Sequence, residues 1–287
     1  MSKNLIENHN SRAKGINAYL QHYPVKKSCG VILFRKNLNN NKYEFLLIQK
    51  RVTYSFSYFV SGKYKIYRGK VNWVDVSNLL QKMTQEELML IHTLAFESMW
   101  CKIWFVKFDD ARFNSAREKF NSAFIYPDGG VKLREILRNI QSTGELFWEI
   151  PKGRPNKDEP PIETAIREFE EETNIPKNFY KILPDVSRVV RYVSKNIEYE
   201  FTYFIGVSNH KRILNDEQYT KTLPTLRSAH RIVEVGRKKW IDMETLRIID
   251  QKNNFLEKII KPSLTLIKKH NKNKSKSKEI EDNIFER

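Results

Sequence analysis

The chain has 287 residues, is 40% hydrophobic, and carries 51 Lys+Arg against 34 Asp+Glu for a net charge of +17. This length suits one large domain or two small ones with a real core. No apolar run approaches the roughly 20 residues of a membrane span, and the polar start MSKNLIENHNSRAKG has no apolar signal core. Cys29 and Cys101 form no CxxC pair, so secretion, a membrane anchor and a disulfide scaffold are not expected. The charge has two readings: a partner with a polyphosphate backbone, whose neutralised phosphates release counterions, or a Lys- and Asn-favouring AT-rich genome.

In chain order, residues 1–25 read as a weakly ordered polar leader. Ser28 to Phe34 and Glu44 to Gln49 alternate as two strands around the turn sequence NLNNN, predicting a β-hairpin. Residues 52–72 are aromatic-rich and irregular. From about 73 to 141 the pattern turns helical. Thr84 and Glu87 are spaced as a capping box and lead into one predicted helix with Leu88, Ile91, Leu94 and Ala95 at helical spacing. Further helices are predicted over 111–123 and 130–141, with a break at Pro127–Gly130.

Leu146 to Pro151 then reads as a short strand and Lys152–Gly153 as the start of a loop. A helix is predicted over about 160–173, because Pro160 and Pro161 suit a first turn. Ile162, Ala165, Ile166 and Phe169 form its core face. Strands are predicted over 186–194, 198–208 and 232–240, and helices over 240–249 and 254–268. Residues 268–278 hold six lysines and no core residue, which predicts a solvated tail.

The 160–173 helix places Glu168, Glu171 and Glu172 at i, i+3 and i+4, on one face. Carboxylates so close repel one another. A divalent cation removes the penalty, and hard oxygens with open coordination positions suit magnesium or manganese holding a phosphate substrate. This points to metal-dependent phosphate chemistry.

The surrounding residues carry a resemblance. Gly153, then Glu159 after five residues, Arg167-Glu168-Phe169 after seven more, Glu171-Glu172 and Asn174-Ile175 resemble the Nudix hydrolase box. The departure is Asn174, where the box has Gly. Asn tolerates left-handed backbone, so the turn survives. With Leu146–Gly153, Gln49-Lys50-Arg51, the helical insert and Glu97–Trp104, the chain over residues 28–268 resembles the mRNA-decapping Nudix proteins of large cytoplasmic DNA viruses.

The resemblance implies a Nudix α/β/α sandwich, an α/β fold interrupted by an all-α insertion domain. It implies a Nudix domain over 26–51 and 142–268, an RNA-binding insertion over 52–141, and a tail over 269–287. It implies Mg²⁺ or Mn²⁺, and attack of water on a phosphoanhydride of capped mRNA, giving 7-methyl-GDP and 5′-monophosphate RNA in a host cytoplasm. Relatives are also associated with diphosphoinositol polyphosphates, so that substrate class and nucleotides stay open. Oligomeric state stays open too, a homodimer included.

By motif position, Glu168 and Glu172 are expected as metal ligands, with Glu171 a ligand directly or through water and the Gly153 carbonyl completing the site. Arg167 is expected to pair with Glu171 and orient it. Glu234, or more weakly Glu198, is the candidate ligand or base outside the box. Lys152 is a candidate phosphate contact. Phe56, Tyr54, Tyr199 and Tyr192 are candidates to stack on the cationic cap base. Lys102, Lys107, Arg112, Arg117, Lys119, Lys132, Arg134 and Arg138 are candidates to track the RNA backbone.

Overall fold

A computed structural model describes residues 23–104, 111–194, 196–208, 235–251 and 254–269. Among them no helix is long and apolar enough to cross a membrane. The chain divides into two compact units. One comprises Met1–Leu47, Ile150–Thr220 and Lys239–Arg287; the other comprises Ile48–Glu149 and Lys221–Lys238.

The first unit is built on β1 (Val25–Lys36). Its run Val31-Ile32-Leu33-Phe34 is fully buried. Successive strand residues point to opposite faces, so both faces of β1 are covered. β2 (Tyr43–Lys50) pairs antiparallel on one side, with Phe34 opposite Phe45. On the other side β8 (Ile197–Ser208) runs parallel, with Cys29 opposite Thr202, and β7 (Lys181–Ser194) pairs antiparallel with β8. Arg35 is 3% exposed. It forks onto Glu44 at 2.7 and 2.8 Å and lies 4.4 Å over the Trp240 ring, so this buried charge is paired.

Helix α7 (Pro161–Thr173) covers one face, packing Ala165 and Phe169 against Cys29, Val31, Leu33 and Leu46. A helix over 255–269 buries Leu256, Ile259, Ile260 and Ile267 at helical spacing, and its Phe255 meets Tyr192 edge-on. This unit has the α/β/α layering that the resemblance implies. Ile162, expected on the core face of α7, is 41% exposed, because that face turns toward Thr164 and Ala165, both fully buried.

The second unit is mainly helical: α1 (Tyr54–Val60), α2 (Trp73–Gln81), α3 (Gln85–His92), α4 (Phe96–Ile103), α5 (Ala111–Phe120) and α6 (Val131–Asn139). A π-helical turn, Asn121–Ile125, extends α5. Two expectations are corrected here. Residues 52–72 are not irregular: Thr53 caps α1, and a hairpin, β3 (Ile66–Tyr67) with β4 (Lys70–Val71), follows. The helix expected across Leu94 breaks into α3 and α4, because Leu94 adopts a left-handed φ of 59°. Its side chain fills space that Gly130 leaves open; a Cβ on Gly130 would come within 2.3 Å of Leu94 Cδ1.

The predicted capping box is present and does more than cap α3. The buried Glu87 carboxylate accepts from the Thr53 N–H and hydroxyl, both at 2.7 Å, and from the Thr84 N–H at 2.9 Å. Burial pushes its pKa up while these hydrogen bonds oppose the rise. One side chain thereby ties the start of α1 to the start of α3. The segment predicted as a strand over Leu146–Pro151 is two short pairings instead. Trp148–Glu149 pairs with Gln49 and Ile48, while Lys152–Gly153 pairs with Gly30 and Cys29.

Candidate active site

The site is assembled from β6 (Lys152–Gly153), the loop after it and α7. Cys29 holds Gly153 in register on β1. A Cβ on Gly153 would lie 2.0 Å from the Glu168 carboxyl carbon. Any larger residue would push that carboxylate away, so the first position of the box is glycine for a steric reason. The preceding N–H, of Lys152, donates to Glu172 Oε2 at 2.8 Å. Glu168 and Glu172 are thus both fixed against one two-residue strand.

Arg167 organises the rest. Its Nε and one terminal nitrogen donate to the two oxygens of Glu159 at 2.7 and 2.8 Å. The other terminal nitrogen donates to Glu168 Oε1 at 2.7 Å and lies 3.5 Å from Glu171 Oε2. A further hydrogen bond reaches the Arg154 carbonyl at 3.0 Å. The expected pairing with Glu171 exists, but it is the longest of the set. The main partner is Glu159, eight residues earlier. Glu159 also accepts from the Asn156 N–H and the Thr164 hydroxyl. Arg167, with these two donors, holds the Glu159 carboxyl down to about 2, and Glu159 in turn raises the Arg167 pKa. The Cys29 thiol is pushed up by burial first, then by the fields of Glu200 and Glu159.

Helix α7 ends where the box departs from glycine. Asn174 has φ 54° and ψ 28°, and its N–H donates to the Glu170 carbonyl at 2.8 Å. The side chain is accommodated in the left-handed region, and Ile175 is buried behind it.

Glu168, Glu171 and Glu172 share one face of α7, and Gly153 lies against Glu168. Lys152 joins them through its backbone, and its ammonium sits 5.4 Å from the Phe201 ring centroid. Tyr192 and Tyr199 are cross-strand partners whose rings stack on each other, 5.1 Å apart and 13° from parallel. Phe56 is corrected: it is fully buried in the core of the helical unit, so its ring presents no face to a base. Tyr54 is 54% exposed and packs near Phe147. Glu198 begins the β8 ladder opposite Val25. Glu234 and Lys107 lie outside the described residues.

Among the basic candidates, Arg112 and Arg138 are exposed and Lys102 is half-buried. Arg117 lies 3.6 Å from Glu97, Arg134 donates to the His92 carbonyl, and Lys132 lies 4.7 Å over Trp73. Lys119 instead ties down the Gly62 and Tyr64 carbonyls. The sequence reading missed the role of Glu159, although its place in the box spacing already marked it.

Among the described residues no three acidic, His or Cys side chains converge into a ready metal cage. The carboxylates instead take separate donors, Arg167 and the Lys152 N–H. The donor set still fits a hard divalent ion: three carboxylates stand on adjacent turns beside the Gly153 backbone, and Glu168 and Glu171 keep 18% and 25% of their side chains exposed.

The NUDIX domain model matches residues 123–261. The mRNA-decapping protein g5R of African swine fever virus (strain Badajoz 1971 Vero-adapted) is 34% identical over 247 residues, covering 86% of this chain and 96% of that protein. A putative mRNA-decapping protein of Acanthamoeba polyphaga mimivirus is 24% identical over 200 residues, covering 59% of this chain and 53% of that one. Among solved structures, an Ap4A hydrolase of C. elegans in a binary complex matches with 17% identity and a TM-score of 0.39, covering 84% of this chain and 98% of that chain. With the box geometry in place and a 34% identical relative covered nearly end to end, the chain belongs to the Nudix family.

Proposed function

We propose that this protein is an mRNA-decapping pyrophosphohydrolase. It attacks a phosphoanhydride of the 5′ cap with water and releases 7-methyl-GDP and 5′-monophosphate RNA. The observation that carries the reading is the box geometry, with Glu168 seated on Gly153, Glu172 on the Lys152 N–H and Arg167 gripping Glu159 and Glu168. The decapping relatives and the net charge of +17 supply the substrate class.

Glu168, Glu171, Glu172 and the Gly153 carbonyl would hold the ion, Mg²⁺ or Mn²⁺. When bound, it neutralises charge on the diphosphate and acidifies a water. The protein's own part is orientation. Arg167 fixes the Glu168 and Glu171 oxygens relative to Gly153, and the Lys152 N–H does the same for Glu172. Glu234 is assigned as the acceptor of the water's proton on sequence position alone. Tyr192 and Tyr199, already stacked on each other, offer a base one outer face rather than a slot between them. The helical unit supplies RNA contacts.

The test is doubly labelled capped RNA with Mg²⁺ or Mn²⁺. Release of 7-methyl-GDP supports the proposal, and its absence with pure protein sinks it. A small polyanion such as a diphosphoinositol polyphosphate is the alternative substrate. Equal rates on free cap analogue and on long capped RNA would favour that class.

A further inference from the structure

The β3–β4 hairpin of the helical unit has no role in the site described above. Residues 63–70, KYKIYRGK, contain four cations and no acid. The turn is Arg68-Gly69, with φ of 49° and 75°. Two consecutive positive φ values define the type I′ turn that favours a tight two-residue hairpin.

The base of this hairpin is anchored on both sides. The Lys65 N–H donates to Asp75 at 3.0 Å, and the Asn72 N–H donates to the Lys65 carbonyl at 3.0 Å. Asn72 then caps α2. Tyr64, just before the hairpin, is 2% exposed and packs against Phe59 and Phe124. The tip is the opposite. Ile66 pairs with Val71, which packs on the core, so Tyr67 and its partner Lys70 share the other face of the ladder. Tyr67 is 60% exposed. The side chains of Lys65, Arg68 and Lys70 are exposed and form no ion pair among the described residues. A hairpin that only closed the unit would need none of these charges.

We propose that this hairpin is a contact prong for single-stranded RNA. Tyr67 stacks on an unpaired base, and Lys65, Arg68 and Lys70 take flanking phosphates. Aromatic stacking with cations beside it is how proteins hold single strands without reading sequence. The rigid base keeps the tip extended, which lowers the ordering cost on binding. The proposal rests on the reading of RNA as substrate and adds a place where the body of that RNA is held.

The test uses the full chain and an uncapped single-stranded RNA of about 20 nucleotides, with fluorescence anisotropy read at several salt concentrations. Each phosphate contact contributes about 0.7 to the log–log salt slope on single strands, so R68A/K70A should lower that slope by about 1.4. Tyr67→Ala should weaken single-strand binding about fivefold or more while leaving duplex binding unchanged. Turnover of a capped dinucleotide should stay at the parent level in both variants, and so should the melting temperature, since the tip contributes nothing to the core. Unchanged RNA affinity and slope overturn the proposal and leave a protein partner as the reading for this surface. Loss of RNA affinity in a protein that never cleaves caps would leave the prong standing and remove the decapping assignment instead.

Discussion

Arg167 and Glu159 meet through two parallel hydrogen bonds of 2.7 and 2.8 Å, across the loop that links β6 to α7. The planar fork of guanidinium matches the two carboxylate oxygens. The same guanidinium then reaches Glu168 and Glu171. Glu159 thus sets the aim of an arginine that sets the aim of two carboxylates proposed to hold the metal.

Arg167→Lys keeps the charge and removes the fork. Turnover is expected to fall about 10- to 100-fold, as for other residues that orient metal ligands. Half-saturation with Mn²⁺ should rise alongside. Metal titrations of the initial rate check both, and unchanged values would show that the carboxylates hold themselves.

Glu159 makes the clamp pH-sensitive at the acid end only. Its folded pKa of about 2 lies below the ordinary value of 4.5. A carboxyl lowered by folding adds stability above its ordinary pKa and loses it as pH falls through the folded value. The melting-temperature gap between the parent protein and Glu159→Gln should be constant above about pH 5 and narrow steadily toward pH 2. A gap that widened on acidification would contradict the assignment.

Gly153→Ala places a methyl where the Glu168 carboxylate now sits. The carboxylate must move by an ångström or more. A displacement of that size costs about 100-fold in rate. Circular dichroism should show the fold retained, with the loss confined to turnover.

Glu171→Gln and Glu172→Gln remove charge without changing shape. Turnover should disappear while affinity for uncapped RNA is kept, because the RNA contacts are assigned elsewhere. Parallel rate and anisotropy measurements decide it; a collapse of RNA affinity would mean that these side chains do something else.

Phe56→Ala removes a fully buried ring from the helical core. It should cost about 3–5 kcal/mol of stability without a cap-specific effect. Tyr199→Ala, on the sheet beside Tyr192, should raise KM for capped substrate while sparing stability. Denaturant melts and KM values separate the two.

The local arrangement of α7 was legible in the sequence because it depends on near neighbours. Pro161 at the first turn, the 168/171/172 spacing and Asn174 at the end all act within a few residues of themselves. The two faces of β1 were legible in the same way, as an unbroken apolar run. The helix across Leu94 was misread because its periodicity continues, while the break depends on Gly130, 36 residues away, leaving room for the leucine. Phe56 was misread because one aromatic among several in an irregular-looking segment looks available until its neighbours close over it. The hairpin after it was missed because strands of two residues have no periodicity to detect.

The sequence by itself determined that Glu168, Glu171 and Glu172 share a face, since helical spacing puts them there wherever that helix lies. Only the tertiary structure decided how they are held. The Glu159 fork, the seat of Glu168 on Gly153 and the grip of the Lys152 N–H on Glu172 join segments 8 to 20 residues apart. Hydrogen bonds at that separation depend on where the chain folds back, and spacing along the chain does not encode it.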